Sequence, residues 1–271
     1  MDVAEAPPSL PVDDRTPLAV AGLTVRYGEK PAVSSLSFTV RPGEIYGLLG
    51  SNGAGKSSTI KSVVGLVRPV AGSIRVFGQD PAVAPVDAKR LMGYVPESTL
   101  LFDALTPREF LEYVASVRRL DPARASARLV DFATAFQVER ELEHPLATLS
   151  NGTRQKVIVI AALLHEPPLL VLDEPLNNLD PRSVRIVKEL LQRYVARGDR
   201  GVLFSTHTME VAEQLCHRVG ILDRGELKGE GTLDELRRHV TQGDPTLEAI
   251  FLKLTEEEEG VRDAIRTLTG A

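Results

Sequence analysis

A chain of 271 residues, 43% hydrophobic and 25% charged, has the balance of an ordinary globular protein, either one large domain or a domain with a subdomain. Its net charge of −5 argues against bulk nucleic-acid binding, and its single cysteine, Cys216, excludes an intrachain disulfide framework and suits a reducing compartment. No stretch approaches the ~18–20 apolar residues of a membrane span, and the N-terminus lacks the basic start and apolar core of a signal peptide, so a cytosolic protein is expected, with any membrane association coming through a partner.

Residues 1–16, rich in Pro, Asp and Ala without periodicity, read as a disordered lead. From Leu18 the texture changes to short alternating runs, and 23–27 and 35–40 are predicted as half-buried strands separated by Gly-Glu-Lys-Pro and Arg-Pro-Gly-Glu turns. The apolar run Ile45-Tyr-Gly-Leu-Leu49 is short enough for a buried strand. It leads into Gly50-Ser-Asn-Gly-Ala-Gly-Lys-Ser57, a full match to the P-loop pattern G-x-x-x-x-G-K-[ST], after which Ser57 to Val64 read as the opening turns of a helix. Glycines there let the backbone curl, so that successive N–H groups of Ser51, Asn52, Gly53, Ala54, Gly55, Lys56, Ser57 and Ser58 can face phosphate oxygens at a helix N-terminus. Lys56 can reach the outer phosphates and Ser57 offers a hydroxyl to Mg²⁺. A glycine-rich turn matching by accident is the bland alternative, and the strand before and helix after disfavour it.

Downstream, a strand pair is predicted at 72–77, ending at Gly78. From about 106 to 136 the pattern is helical: Thr106 reads as an N-cap, Pro107 as the first helical residue and Glu109 as acid in the first turn, with a second helix over 122–136. Ser150 opens another helix, and Leu169-Leu-Val-Leu172 is a continuous apolar run suited to a strand buried on both faces. Helices at 181–197 and 208–216 and strands at 201–205 and 218–222 continue an alternating α/β texture. The tail carries Leu233-Asp-Glu-Leu236, the run 247–254 and an acidic run at 256–259, which reads as a solvated face.

The run at 169–172 ends in Asp173-Glu174. Strand ends face the ligand crevice in folds of this kind, so Asp173 can hold magnesium, directly or through water, while Glu174 can polarise an attacking water. His207 closes another predicted strand and could reach a γ-phosphate or Glu174; the remaining four histidines read as structural or surface residues. The turn at Ser150, Asn151 and Gly152 leaves helix-start N–H groups able to bind an anion, although by itself it reads as an N-cap and nothing more.

These pieces, in this order, resemble the nucleotide-binding subunit of an ATP-binding cassette (ABC) transporter over roughly residues 18–240. The resemblance makes Leu149-Ser-Asn-Gly-Thr the signature, residues 169–174 Walker B plus catalytic glutamate, Asn178-Leu-Asp180 the D-loop and His207 the switch histidine, with Tyr27 the aromatic that stacks on adenine; an inward-facing strand tyrosine is the alternative for Tyr27. Two motifs depart from the family: Asn151 and Thr153 alter the usual Leu-Ser-Gly-Gly-Gln, and Glu97 stands for the Q-loop glutamine. A glutamate there, with the tail segments, is similar to type-2 exporter ATPases. What the resemblance implies is an α/β P-loop NTPase core with a mainly parallel sheet, an antiparallel β subdomain and an inserted helical subdomain at about 98–155. The ATPase domain would span 17–240 and a short C-terminal extension 241–271. It also implies ATP and Mg²⁺ as ligands, with Ser57, Asp173 and Glu97 on the metal. A second ATPase subunit, identical or not, would supply Ser150, Asn151 and Gly152 in trans, Asp180 would be the D-loop aspartate, and a transmembrane permease subunit would hold the pair at the cytoplasmic side of the cell membrane. No nucleic acid is expected. A soluble ABC ATPase acting on ribosomes or DNA is the rival reading; an unrelated P-loop kinase or GTPase is disfavoured by the signature turn.

Overall fold

A buried apolar strand flanked by partly exposed ones builds the first sheet. β1 (Leu18–Tyr27) and β2 (Lys30–Val40) run antiparallel through a tight turn at Gly28. The buried run follows as β3 (Glu44–Leu49), then α1 (Lys56–Val63), and β4 (Ala71–Arg75) returns to pair antiparallel with β1, giving the order β2-β1-β4. The strand pair expected at 72–77 is therefore one strand, and an isolated bridge from Val76 to Gln79 closes the turn after it. The computed structural model describes residues 14–99, 101–238 and 246–255; most of the lead and the acidic run at 256–259 lie outside the described residues. Residues 14–16, which the sequence placed in the lead, are held against this turn: the Thr16 carbonyl accepts from the Phe77 N–H at 3.1 Å.

After α2 (Pro85–Arg90) and β5 (Met92–Val95) the chain enters a helical insert. α3 (Pro107–Val117) opens on the predicted cap: Thr106 Oγ accepts from the Glu109 N–H and Glu109 accepts from the Thr106 N–H, a reciprocal capping box. α4 (Pro122–Phe136) is capped by Asp121, and a 3-10 turn at Leu146–Thr148 leads to α5 (Asn151–Leu163). The remaining core elements are β6 (Leu169–Asp173), α6 (Pro181–Val195), β7 (Gly201–Thr206), α7 (Met209–Leu215) and β8 (Arg218–Asp223). β9 (Glu226–Gly231), α8 (Leu233–Arg238) and α9 (Leu247–Leu254) complete the described chain. α6 stops at Val195, short of the expected 197, because Gly198 takes a left-handed conformation (φ 81°) that cannot continue it.

The second sheet has the order β5-β6-β7-β3-β8-β9, parallel throughout except for the β8–β9 pair. Its central strands are buried on both faces, which is why they read as continuous apolar runs. Period-two alternation still decides which core each side chain joins: Leu170 and Leu172 of β6, with Val202 and Phe204 of β7, pack with the helical insert and α6. Leu169, Val171 and Leu203 point the other way, into the core shared with α1 and the small sheet. A third cluster joins Leu49 at the end of β3 to Val219, Ile221 and the tail residues Leu247, Ile250 and Phe251. The result is a P-loop α/β core with an antiparallel β subdomain and an inserted helical subdomain. No helix among the described residues is long and apolar enough to cross a membrane.

Candidate active site

The parallel register brings three strand ends together. Leu49, just before the P-loop, lies opposite Thr206, and Asp173 lies opposite Ser205. β7 sits between β3 and β6, so the P-loop, the acidic pair and His207 emerge on one edge of the sheet. This is the crevice expected outside the carboxyl ends of parallel strands.

The P-loop is held open by its backbone. Gly55 has φ 109°, and a Cβ there would lie 2.6 Å from the Ala32 carbonyl, so only glycine fits. It precedes α1 with no side-chain cap, leaving the first amides of that helix to whatever anion enters. A cleft of about 200 Å³ lies against the loop, lined by Ser51, Asn52, Lys56 and Ser57 and, across it, by Glu97 and Glu174. Gly53, Gly55 and Ser58 also line it, whereas Ala54 turns inward, its methyl in the core and its N–H on the Ser51 carbonyl at 3.2 Å. Tyr27, at the end of β1, is 52% exposed, which removes the inward-facing alternative, but it stands outside the lining of this cleft.

Lys56 is almost fully buried. Its Nζ donates to the carbonyls of Gly50 (2.7 Å) and Ser51 (3.2 Å) and stands 3.6 Å from Glu174 Oε1. Glu174 is also buried, with a left-handed backbone (φ 48°), and its Oε1 lies 2.9 Å from His207 Nδ1. His207 itself is 49% exposed, which leaves the rest of its ring open to a ligand. Glutamate, histidine and lysine therefore converge in one cluster.

The oxygen donors form a second group. Ser57 Oγ donates to Glu97 Oε2 at 3.2 Å. Asp173 is fully buried; Ser205 Oγ donates to its Oδ1 at 2.7 Å, and its Oδ2 has no hydrogen-bond partner. Burial raises the Asp173 carboxyl above the ordinary carboxylate range, opposed by the Ser205 and Ser57 hydroxyls and reinforced by the charges of Glu97 and Glu174. A buried carboxylate oxygen without a partner, beside a serine hydroxyl and a second carboxylate, is a donor set that fits a hard divalent cation such as Mg²⁺. Among the described residues no group of three or more His, Cys, Asp or Glu side chains could hold a metal, so such an ion would also draw on hydroxyl, phosphate and water oxygens. Tyr94, on β5, was missed by sequence reasoning: burial, together with the Asp173 and Glu97 charges, pushes its hydroxyl up to about 12.

The signature turn lies elsewhere. Ser150 caps α5, accepting from the Thr153 N–H at 3.2 Å, and neither it nor Asn151, Gly152 or Asp180 lines the cleft of its own chain. Instead the first turns of α5 lock onto the loop that follows Glu174. A Cβ on Gly152 would sit 2.6 Å from the Asn178 carbonyl, and the buried Gln155 donates to the Pro175 carbonyl at 3.0 Å. Lys156 pairs with Asp180 at 2.8 Å. Asp180 also caps α6 through the Ser183 N–H (2.9 Å), and Lys156, with the Ser183 amide and hydroxyl, holds its carboxyl far below the usual range.

Known proteins share this sequence pattern and fold. The chain matches the family model "ABC transporter" over residues 33–177. It is 37% identical over 243 residues to the ABC-type transporter ATP-binding protein EcsA of Bacillus subtilis, covering 90% of this chain and 98% of that one. It is 33% identical over 264 residues to the Nod factor export ATP-binding protein I of Ralstonia nicotianae, covering 94% and 82%. A solved structure described as the ATP binding subunit of an ABC transporter superposes with TM-score 0.84 at 37% identity, covering 89% of this chain and all (100%) of that one. The chain belongs to the ABC transporter family, as an ATP-binding, ATP-hydrolysing subunit of a transporter.

Proposed function

We propose that this subunit energises a membrane exporter by closing onto a second ATPase subunit around ATP and Mg²⁺. The observation that carries the reading is the position of the signature turn: the helix-start amides of α5 lie outside the cleft of their own chain. The P-loop supplies one half of a phosphate cradle, and a second copy, or a related subunit, presenting Ser150 and Gly152 would complete it. Mg²⁺, when bound through Ser57, Asp173 and Glu97, neutralises charge on the phosphates. Glu174 then acts as general base on the attacking water, and its contact with His207 supports a role for that histidine in holding the terminal phosphate.

Coupling to a transmembrane permease is supported by the helical insert. Phe102, Tyr113 and Val117 are exposed, the rings of Phe102 and Tyr113 meet edge-on, and a groove of about 460 Å³ runs beside them, lined by Phe110, Val114 and Tyr94. An apolar patch on an otherwise charged surface marks an interaction site. Bound there, a permease subunit would place this chain at the cytoplasmic face of the membrane. The direction of transport rests on the Nod factor export relative and on Glu97, the feature similar to type-2 systems.

The test is Glu174→Gln. ATP binding should remain while turnover falls by about a hundred-fold or more, the upper range for losing a general base, and an ATP-bound dimer should accumulate on gel filtration. Hydrolysis at the parent rate would overturn the assignment of Glu174. Loss of turnover with ATP-bound protein remaining monomeric would overturn the dimer.

A further inference from the structure

β7 carries a polar residue where its neighbours are core. Val202, Leu203 and Phe204 are fully buried, and so is Ser205. A buried hydroxyl costs free energy unless both its donor and its acceptor capacity are used. Here both are used, and both partners belong to the acidic pair. Ser205 Oγ donates to Asp173 Oδ1 at 2.7 Å and accepts from the Glu174 N–H at 3.0 Å.

Each bond constrains a group the reaction needs. Occupying Asp173 Oδ1 decides which carboxylate oxygen stays unpartnered, namely Oδ2. Glu174 lies just beyond the end of β6 in the left-handed region, φ 48°. That conformation is unfavourable for a non-glycine residue and persists only where the surroundings hold it. The Ser205 acceptor holds the Glu174 amide at the point where the side chain meets His207 and Lys56. The register that sets Ser205 opposite Asp173 puts one hydroxyl within reach of both.

We propose that Ser205 is a positioning residue for ATP hydrolysis, its hydroxyl bridging the Asp173 carboxylate and the Glu174 amide so that the two carboxylates keep one fixed arrangement. The inference rests on the role given above to Glu174. A serine that merely satisfies a buried amide would lower stability when removed and leave turnover of the folded protein unchanged. A positioning serine separates kcat from KM, because ATP is held by the P-loop while the base is displaced.

The experiment measures steady-state ATPase, ATP KM and thermal unfolding of the full chain carrying Ser205→Ala, Ser205→Cys or Ser205→Thr, with Glu174→Gln alongside. The Ala and Cys variants are expected to lose about ten-fold or more in kcat, the scale of a misplaced catalytic group, with ATP KM within about two-fold of the parent. Thr keeps the hydroxyl and should restore kcat to within about three-fold. A folded Ala or Cys variant with parental kcat overturns the proposal, as does a Thr variant as slow as Ala, since packing would then be the cause. If Ala does not fold, the near-isosteric Cys variant decides. Normal hydrolysis by Glu174→Gln would instead sink the underlying reading of Glu174, which separates the two failures.

Discussion

Glu97 shows how far one side chain changes the local electrostatics without changing the architecture. It accepts from Ser57 Oγ at 3.2 Å and adds its charge to those that keep the Asp173 carboxyl above its ordinary range. A glutamine would keep an oxygen ligand and remove a charge, so Glu97→Gln is expected to retain ATPase activity within about ten-fold of the parent while needing more Mg²⁺ for half-maximal rate. A magnesium titration of the two proteins checks this, and complete loss of hydrolysis would show that the charge itself is required. The chemistry-bearing residues were legible in the sequence because each belongs to a pattern with a local cause: glycines that bend a loop, carboxylates closing a buried strand. Ser205 and Tyr94 were not. Their roles come from register across the sheet, which sets Ser205 opposite Asp173 and Tyr94 opposite Val171, and no window along the chain contains that information.

The elements differ in the same way. α3 and α4 were readable because caps and prolines mark their starts. β5 has four residues and β9 carries alternating charge and glycine with little apolar surface, so neither offers a periodic signal; each is a strand because a neighbour supplies its ladder. α5 is the element on which the signature depends, and its start is welded to the loop after Glu174 by Gly152, Gln155 and Lys156. Gly152→Ala would drive a methyl group against the Asn178 carbonyl, 2.6 Å from the ideal Cβ position, so the turn must shift. The expected result is a loss of about ten-fold or more in ATPase rate, from misplacing a group proposed to act on bound nucleotide. Nucleotide binding to the monomer, read by fluorescence titration, should stay unchanged, because the P-loop is untouched.

At the scale of the whole molecule, the proposed output runs through two surfaces: the cleft and the apolar face of the helical insert. They can be separated by mutation. Val117 is 62% exposed and does not line the cleft, so Val117→Asp should alter stability by no more than about 0.5 kcal/mol. It should leave the ATPase of the isolated chain intact and abolish co-purification of a hydrophobic subunit from detergent-solubilised membranes. Retention of that subunit would move the docking face elsewhere, and recovery of ribosomes in its place would favour the soluble rival. The third hydrophobic cluster bears on how the chain may be divided. Leu49, the residue before the P-loop, packs in one cluster with Leu247, Ile250 and Phe251, and the Leu247 N–H donates to Glu213 at 2.6 Å. A cut at residue 240, where the family resemblance ends, would strip apolar cover from the cluster that holds the strand leading into the nucleotide loop. The tail is thus a keel under the phosphate site, and a fragment ending at 240 would have to be rebuilt with polar residues on that face to keep its footing.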